Sequence, residues 1–239
     1  MLFERRCYTF YSGDGVTAFW QAQEDRGYGL VQPIQQRLIG YFCTMAGPVH
    51  QVMHLYRYDS FDDWKQRLHG LYAVAALEPY FRSVRALLSA QENSFLSHAP
   101  VDALTPLWNA SRDWVPDRPA PSLPGAHPDS LVEEHTCVLL PGTQPRFWQA
   151  WRAAAAAPEV LDAASLIGSF VSLVGQQHVV RTYRFHDGPA QRGALAERRG
   201  RDPAWQALQQ EIASCIVSES STLWRPGPGQ ALAPLFHGR

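Results

Sequence analysis

The sequence predicts an α+β fold in which two βαββαβ units follow one another and turn their antiparallel sheets together within one chain. Three observations carry this expectation. Leu38 to Tyr58 places two runs rich in aromatic and β-branched residues on either side of Gly47-Pro48, the pattern of a hairpin. The wording of that region then returns: Leu38-Ile39-Gly40 as Leu166-Ile167-Gly168, and Tyr56-Arg57-Tyr58 as Tyr183-Arg184-Phe185. Between the two copies, seven prolines fall in residues 98–130 with no sustained apolar period, which reads as a linker.

Each element follows in order. Phe3 to Tyr11 is a first strand, ended by Ser12-Gly13-Asp14-Gly15. Val16, Phe19 and Trp20 then share one side of a helix that runs to about Gly27. After the hairpin, Ser60-Phe61-Asp62-Asp63 has the form of a capping box, and Phe61, Trp64, Leu68 and Leu71 recur at helical spacing. Glu78-Pro79 opens a further helix, and residues 91–96 close the unit as a strand. From Leu131 the pattern resumes. Phe19-Trp20-Gln21-Ala22 is repeated as Phe147-Trp148-Gln149-Ala150, at the same offset of 128 as the Leu-Ile-Gly pair (147 − 19 and 166 − 38). The expected organisation is a first domain over 1–97, a Pro-rich linker over 98–130 and a second domain over 131–239. Trp108 and Trp114 should dock the linker on the outside of the fold, since two indoles are poorly placed in water.

Composition bounds the function. The 239 residues are 46% hydrophobic and 18% charged, which suits a globular protein with a real core. A net charge of −1 offers neither a nucleic acid nor an anionic membrane the clustered basic field it would need. The absence of a leader-like segment or long apolar run leads to the expectation of a cytoplasmic protein. Its partner should be a small molecule, with room left for a homo-oligomer. Cys7, Cys43, Cys137 and Cys215 are single and widely spaced, so they carry no CxxC motif and read as buried thiols.

Residues 2–96 resemble a NIPSNAP domain. The resemblance rests on Glu4-x-Arg6-x-Tyr8, on the stretch from Leu38 to Ser60 with its Gly47-Pro48, Gln51-Val52 and His54-Leu55, and on the closing Ser89-x-Gln91-Glu92-x-Ser94. Residues 131–226 are similar to the same domain more distantly, having lost the His-Leu wording. The resemblance implies ferredoxin-like units of the dimeric α+β-barrel superfamily, with two sheets packed face to face, helices outside and a cavity within. It also implies either a cofactor-independent enzyme, a monooxygenase or an isomerase or cyclase, or a non-catalytic binding or adaptor protein. A haem-binding barrel is a third class found on this fold.

Strand alternation proposes the site. On residues 50–58 one face reads His50, His54, Tyr56 and Tyr58; on the first strand Glu4, Arg6 and Tyr8 share a face, and in the second copy Glu133 and His135 do. Aligning Tyr-Arg-Tyr with Tyr-Arg-Phe puts Arg181 in the place of His54 and Tyr183 in that of Tyr56. Taken as the faces without helices, these sets would line a cavity between the sheets. His54, Arg181 and Tyr56 are the expected catalytic residues, with His54 as the acid–base group because an imidazole titrates near neutrality. Arg6, Tyr8, His50, His135, Tyr183, Glu4 and Glu133 are expected to bind substrate. No metal and no cofactor are expected, because no ligand spacing or nucleotide motif is present.

Overall fold

The computed structural model describes residues 1–237, leaving out the side chains at 158 and 159. The first unit comprises β1 (Leu2–Phe10), α1 (Gly13–Arg26), a single turn α2 (Gln32–Gln35), β2 (Leu38–Ala46), β3 (Gln51–Tyr58), α3 (Phe61–Tyr72), α4 (Glu78–Ala86) and β4 (Leu88–His98). The second repeats it: β5 (Leu131–Leu139), α5 (Gln144–Ala154), the turn α6 (Pro158–Leu161), β6 (Leu166–Val174), β7 (Val179–His186), α7 (Pro189–Arg201), α8 (Pro203–Ala213) and β8 (Ile216–Pro226). Local chemistry sets the boundaries. Gly27 ends α1 at a φ of 68°, and Ser60 caps α3 by accepting a hydrogen bond from the Asp63 amide at 3.2 Å. Asp202 caps α8 through the amides of Ala204 and Trp205.

Each unit is ferredoxin-like, with strand order β4-β1-β3-β2 in the first and β8-β5-β7-β6 in the second. The sheets also join at their edges: β2 pairs with β8 and β4 with β6, both antiparallel. Eight strands therefore close into one barrel with no free edge, and the helices lie outside it. Both seams need a glycine. Gly47 and Gly175 have φ values of 121° and 106°, and a Cβ on either would meet the other unit, at Thr222 from Gly47 and at Ser94 from Gly175.

The barrel is filled rather than hollow. Phe3, Phe42, Phe170, Tyr183 and Trp224 are buried inside, together with aliphatic residues of both units. Trp108 does not stay on the outside, as the linker was expected to. It joins this core fully buried, packed against Phe3 and Phe170 with centroids at 5.1 and 5.6 Å, and its indole N–H donates to the Trp114 carbonyl. A water-shy indole can satisfy its one donor locally and still fill the space between the sheets. Phe236, from the segment after β8, packs against Phe42 and Phe185 in the same core, and the Leu232 carbonyl accepts from the Tyr41 amide.

Candidate functional site: a cleft under the helices of each unit

The strand faces decide where the polar residues go. On β1, Phe3 and Cys7 enter the barrel, while Leu2 and Phe10 pack under the helices with Phe19. Glu4, Arg6 and Tyr8 share the parity of Leu2 and so lie under the helices. On β3, Met53 and Leu55 enter the barrel, and Val52, Tyr56 and Tyr58 face the helices. The expected assignment of faces for the first unit is thus reversed. Glu4, Arg6, Tyr8, His54 and Tyr56 line no cavity between the sheets; they sit between the first sheet and α1, α3 and α4. His50 joins neither face: it is exposed in the hairpin turn at a φ of 57°.

In the second unit the expected set divides. Arg181 and Tyr183 do enter the barrel, whereas Glu133 and His135 face the helices. The reason is register. Glu4 pairs with Tyr56, and Glu133 pairs with Arg184, so Tyr56 corresponds to Arg184, and His54 to Thr182. The Tyr-Arg-Tyr to Tyr-Arg-Phe alignment is one residue off, and a slip of one residue exchanges the two faces of a strand.

Inside the barrel, Arg181 donates to Glu134 at 2.7 Å and to Thr136 at 2.8 Å. Arg5 also donates to Glu134, through Nε at 2.8 Å and Nη2 at 3.1 Å, as does the Trp224 indole at 3.1 Å. Burial opposes the charge of Glu134, but the two guanidiniums hold its carboxyl below the usual range. Arg181 is thus committed to a structural network, and Tyr183 donates to the Met53 sulfur at 3.6 Å.

The first cleft is organised around His54. Its ring lies 3.9 Å from the Tyr41 ring at 15°, stacks at a longer distance on Phe19, and meets Tyr8 edge-on at 4.5 Å. The ring is 2% exposed, and neither of its nitrogens has a hydrogen-bond partner. Burial, with the charges of Arg6 and Arg26, pushes its pKa well below the ordinary imidazole value, so His54 is neutral at pH 7. Arg6 is held by Glu4 through contacts of 2.9 to 3.2 Å and lies over the Tyr56 ring at 5.4 Å. Asn93 and Tyr58 complete the shell of Glu4 at 2.6 and 3.3 Å. The Tyr56 and Tyr41 hydroxyls meet at 2.9 Å, and burial raises both of their pKa values. The space here is about 60 Å³, room for a few waters and too small for a substituted ring.

Beside it lies an open depression of about 460 Å³, and the two spaces share Tyr72, Phe81 and Arg85. Sequence reasoning missed Tyr41 and Tyr80 in this cleft. The signal for Tyr41 was the repeated Leu-Ile-Gly: both copies carry a register shift there, between Leu38 and Gly40 and between Leu166 and Gly168. That bulge turns Tyr41 to the helix side, where strict alternation with Ile39 would have sent it inward.

The second cleft occupies the same place under α5, α7 and α8. Glu133 accepts from Arg192 at 2.7 Å and is hydrogen-bonded to His186 at 3.2 Å; these contacts overcome burial and hold its carboxyl below the usual range. His135 lies 3.4 Å from Glu219, and both are more than a third exposed. Burial and the neighbouring Glu219 push the Cys137 thiol up to about 12, which makes it a poor nucleophile. Among the described residues no group of three or more His, Cys, Asp or Glu side chains could hold a metal, and no helix is long and apolar enough to cross a membrane.

This architecture, two ferredoxin-like units closing one barrel with a cleft under the helices of each, is that of a dimeric α+β barrel built from a single chain. Two solved structures share it along nearly the whole chain: a Lactobacillus acidophilus protein named for a presumed monooxygenase activity (8% identity, 95% of this chain and 93% of that one, TM-score 0.58) and an anthrone oxidase-like protein (11% identity, 94% and 90%, TM-score 0.55). At those identities they show the fold alone. The NIPSNAP family model matches residues 3–101. A NIPSNAP-like domain protein from Burkholderia xenovorans is 33% identical over 41% of this chain and 85% of that one, with a TM-score of 0.39. The chain belongs to the NIPSNAP family. No curated protein sequence matches it.

Proposed function

We propose that the protein is an enzyme acting on a small molecule, and that its chemistry is proton abstraction by His54 in the first cleft. The carrying observation is that a fully buried imidazole keeps both ring nitrogens free of protein partners. A buried polar group without a partner is costly unless something in the cleft completes it, such as a water in the free protein or a reacting O–H or activated C–H in the complex. Neutral His54 has a lone pair free to accept a proton, and the substrate anion formed beside it would offset the burial that disfavours the imidazolium in the free protein. Arg6, paired with Glu4, and the Tyr56 hydroxyl, bonded to Tyr41, line the same space and give it a positive and a hydroxyl group toward the anion formed when the proton leaves. A phenol- or enol-type substrate fits this chemistry, and the step is common to cofactor-independent oxygenation, isomerisation and cyclisation.

The inner space admits only the reacting end of such a molecule. Its body belongs in the outer depression, reached by movement of Tyr72, Phe81 and Arg85, whose rings meet edge-on at 5.2 Å beneath the guanidinium at 5.4 and 5.8 Å. The names of the two whole-chain structural neighbours support an oxygenase-type reaction without fixing it. The test is a panel of anthrones, naphthols and β-diketones, followed by oxygen uptake and product spectra. The wild type should exceed buffer for at least one compound. For that compound His54→Gln should lower the rate about 10²-fold or more, while His69→Ala, on the exposed side of α3, should not. A wild-type rate equal to buffer across the panel, or an unchanged rate in His54→Gln, ends this reading.

A further inference from the structure

The second cleft is not a copy of the first. Ser169 and Thr182 stand at the positions of Tyr41 and His54, as the matching strand pairs show, and their hydroxyls meet at 2.8 Å where the first unit has a stacked pair of rings. Cys137 likewise takes the place of Tyr8. Small groups in place of rings enlarge the space to about 220 Å³. An apolar protein cavity of about 150 Å³ accepts benzene, so one substituted ring fits here. Phe147, Trp148, Trp151 and Trp205 supply aromatic walls.

The charge is also different. Arg184, 6% exposed, replaces Tyr56, and Arg199 approaches it from α7. Both guanidiniums converge on one backbone carbonyl, that of Leu161, with Arg184 Nη1 at 2.6 Å and Arg199 Nη2 at 3.4 Å. Among the described residues neither is in an ion pair. Glu133 is nearby, but its carboxylate is already taken by Arg192 and His186. Burial and the neighbouring Arg199 bring Arg184 down to about 9, so it stays charged at pH 7. Two cations held close together, Arg184 buried and Arg199 half-buried over the Trp205 ring at 4.4 Å, with backbone carbonyls as their hydrogen-bond acceptors among the described residues, are stabilised by an anion brought between them.

We propose that the second cleft binds a monocyclic aromatic carboxylate, with its ring among Trp148, Trp151 and Trp205 and its carboxylate on Arg184 and Arg199. This site is separate from the His54 cleft and does not depend on the reaction assigned there. The test is calorimetric titration of the full chain with benzoate, and with benzamide as the uncharged analogue of the same shape. Benzoate should bind at least tenfold tighter than benzamide. Arg199→Gln, on a half-buried helix position, should erase that preference, and Arg184→Gln should do the same wherever its circular dichroism matches the wild type. His54→Gln should leave benzoate affinity unchanged. The proposal is overturned by no benzoate binding at millimolar concentration, by equal affinities for the two probes, by an unchanged preference in Arg199→Gln, or by loss of benzoate binding in His54→Gln.

Discussion

His54 is held by ring faces instead of hydrogen bonds, and this makes it sensitive to acid. Its folded pKa lies below that of the unfolded chain, so as pH falls past about 6.5 the unfolded state takes up a proton that the folded state refuses. Stability is therefore complete above that pH and declines below it, by up to about 1.4 kcal/mol per pH unit until the folded pKa is reached. Urea unfolding at pH 7.0, 6.0 and 5.0 should show this slope, and His54→Gln should flatten it; equal slopes would mean that the ring is hydrated. Glu134 behaves differently. Its three donors leave no room for a neutral substitute, and Glu134→Gln strands Arg5 and Arg181 as buried charges. A loss of about 3–5 kcal/mol is expected, measurable as a fall in the urea midpoint at pH 7.

At the scale of elements, strands and helices were legible and strand faces were not. The capping residues of α3, the glycine after α1 and the repeated Phe-Trp-Gln-Ala of α1 and α5 are local signals, and each lies where local physics puts it. Faces are read from contrast between a wet side and a dry one, and β3 has none: every residue from Val52 to Tyr58 is buried. The polar residues were expected in the barrel because helix-covered faces are commonly aliphatic; here the helix-covered face carries His54, Arg6 and Tyr56. The offset of 128 that holds for β2 and α1 holds for β3 as well, and following it instead of the matching letters would have placed Arg181 at the position of Met53, on the barrel face. Arg184 and Arg199 were invisible for another reason: their significance comes from two helices and a strand meeting. The seams give an element-scale prediction. Gly47→Ala forces a side chain into a left-handed turn and onto Thr222 Cγ2 at 3.0 Å. It should cost about 1–2 kcal/mol from the backbone alone, plus a contact penalty that Thr222→Ser removes. Failure of the double variant to recover any melting temperature would exclude the seam contact.

For the whole molecule, the duplication explains why one chain carries two unlike clefts. Within one chain the barrel closes without a second copy, and equivalent positions of the two units need not be identical, as Tyr41 and Ser169 or His54 and Thr182 are not. The core is shared, so its loss is shared too. Trp108→Ala removes a fully buried indole packed on rings of both units, and about 3–5 kcal/mol should go with it. Both units should still unfold in one transition; two separate transitions in the wild type would show independent units.

The central claim is that the chemistry lies beneath the helices, at a neutral and enclosed His54. Side-chain ¹⁵N NMR of histidine-labelled protein, titrated from pH 8 to pH 5, tests it most directly. His54 should keep the shifts of a neutral imidazole as the pH falls past about 6.5, the ordinary imidazole value, and the His54→Gln spectrum assigns the signal. A His54 resonance that titrates with a midpoint near 6.5, as an imidazole in water does, would contradict the account.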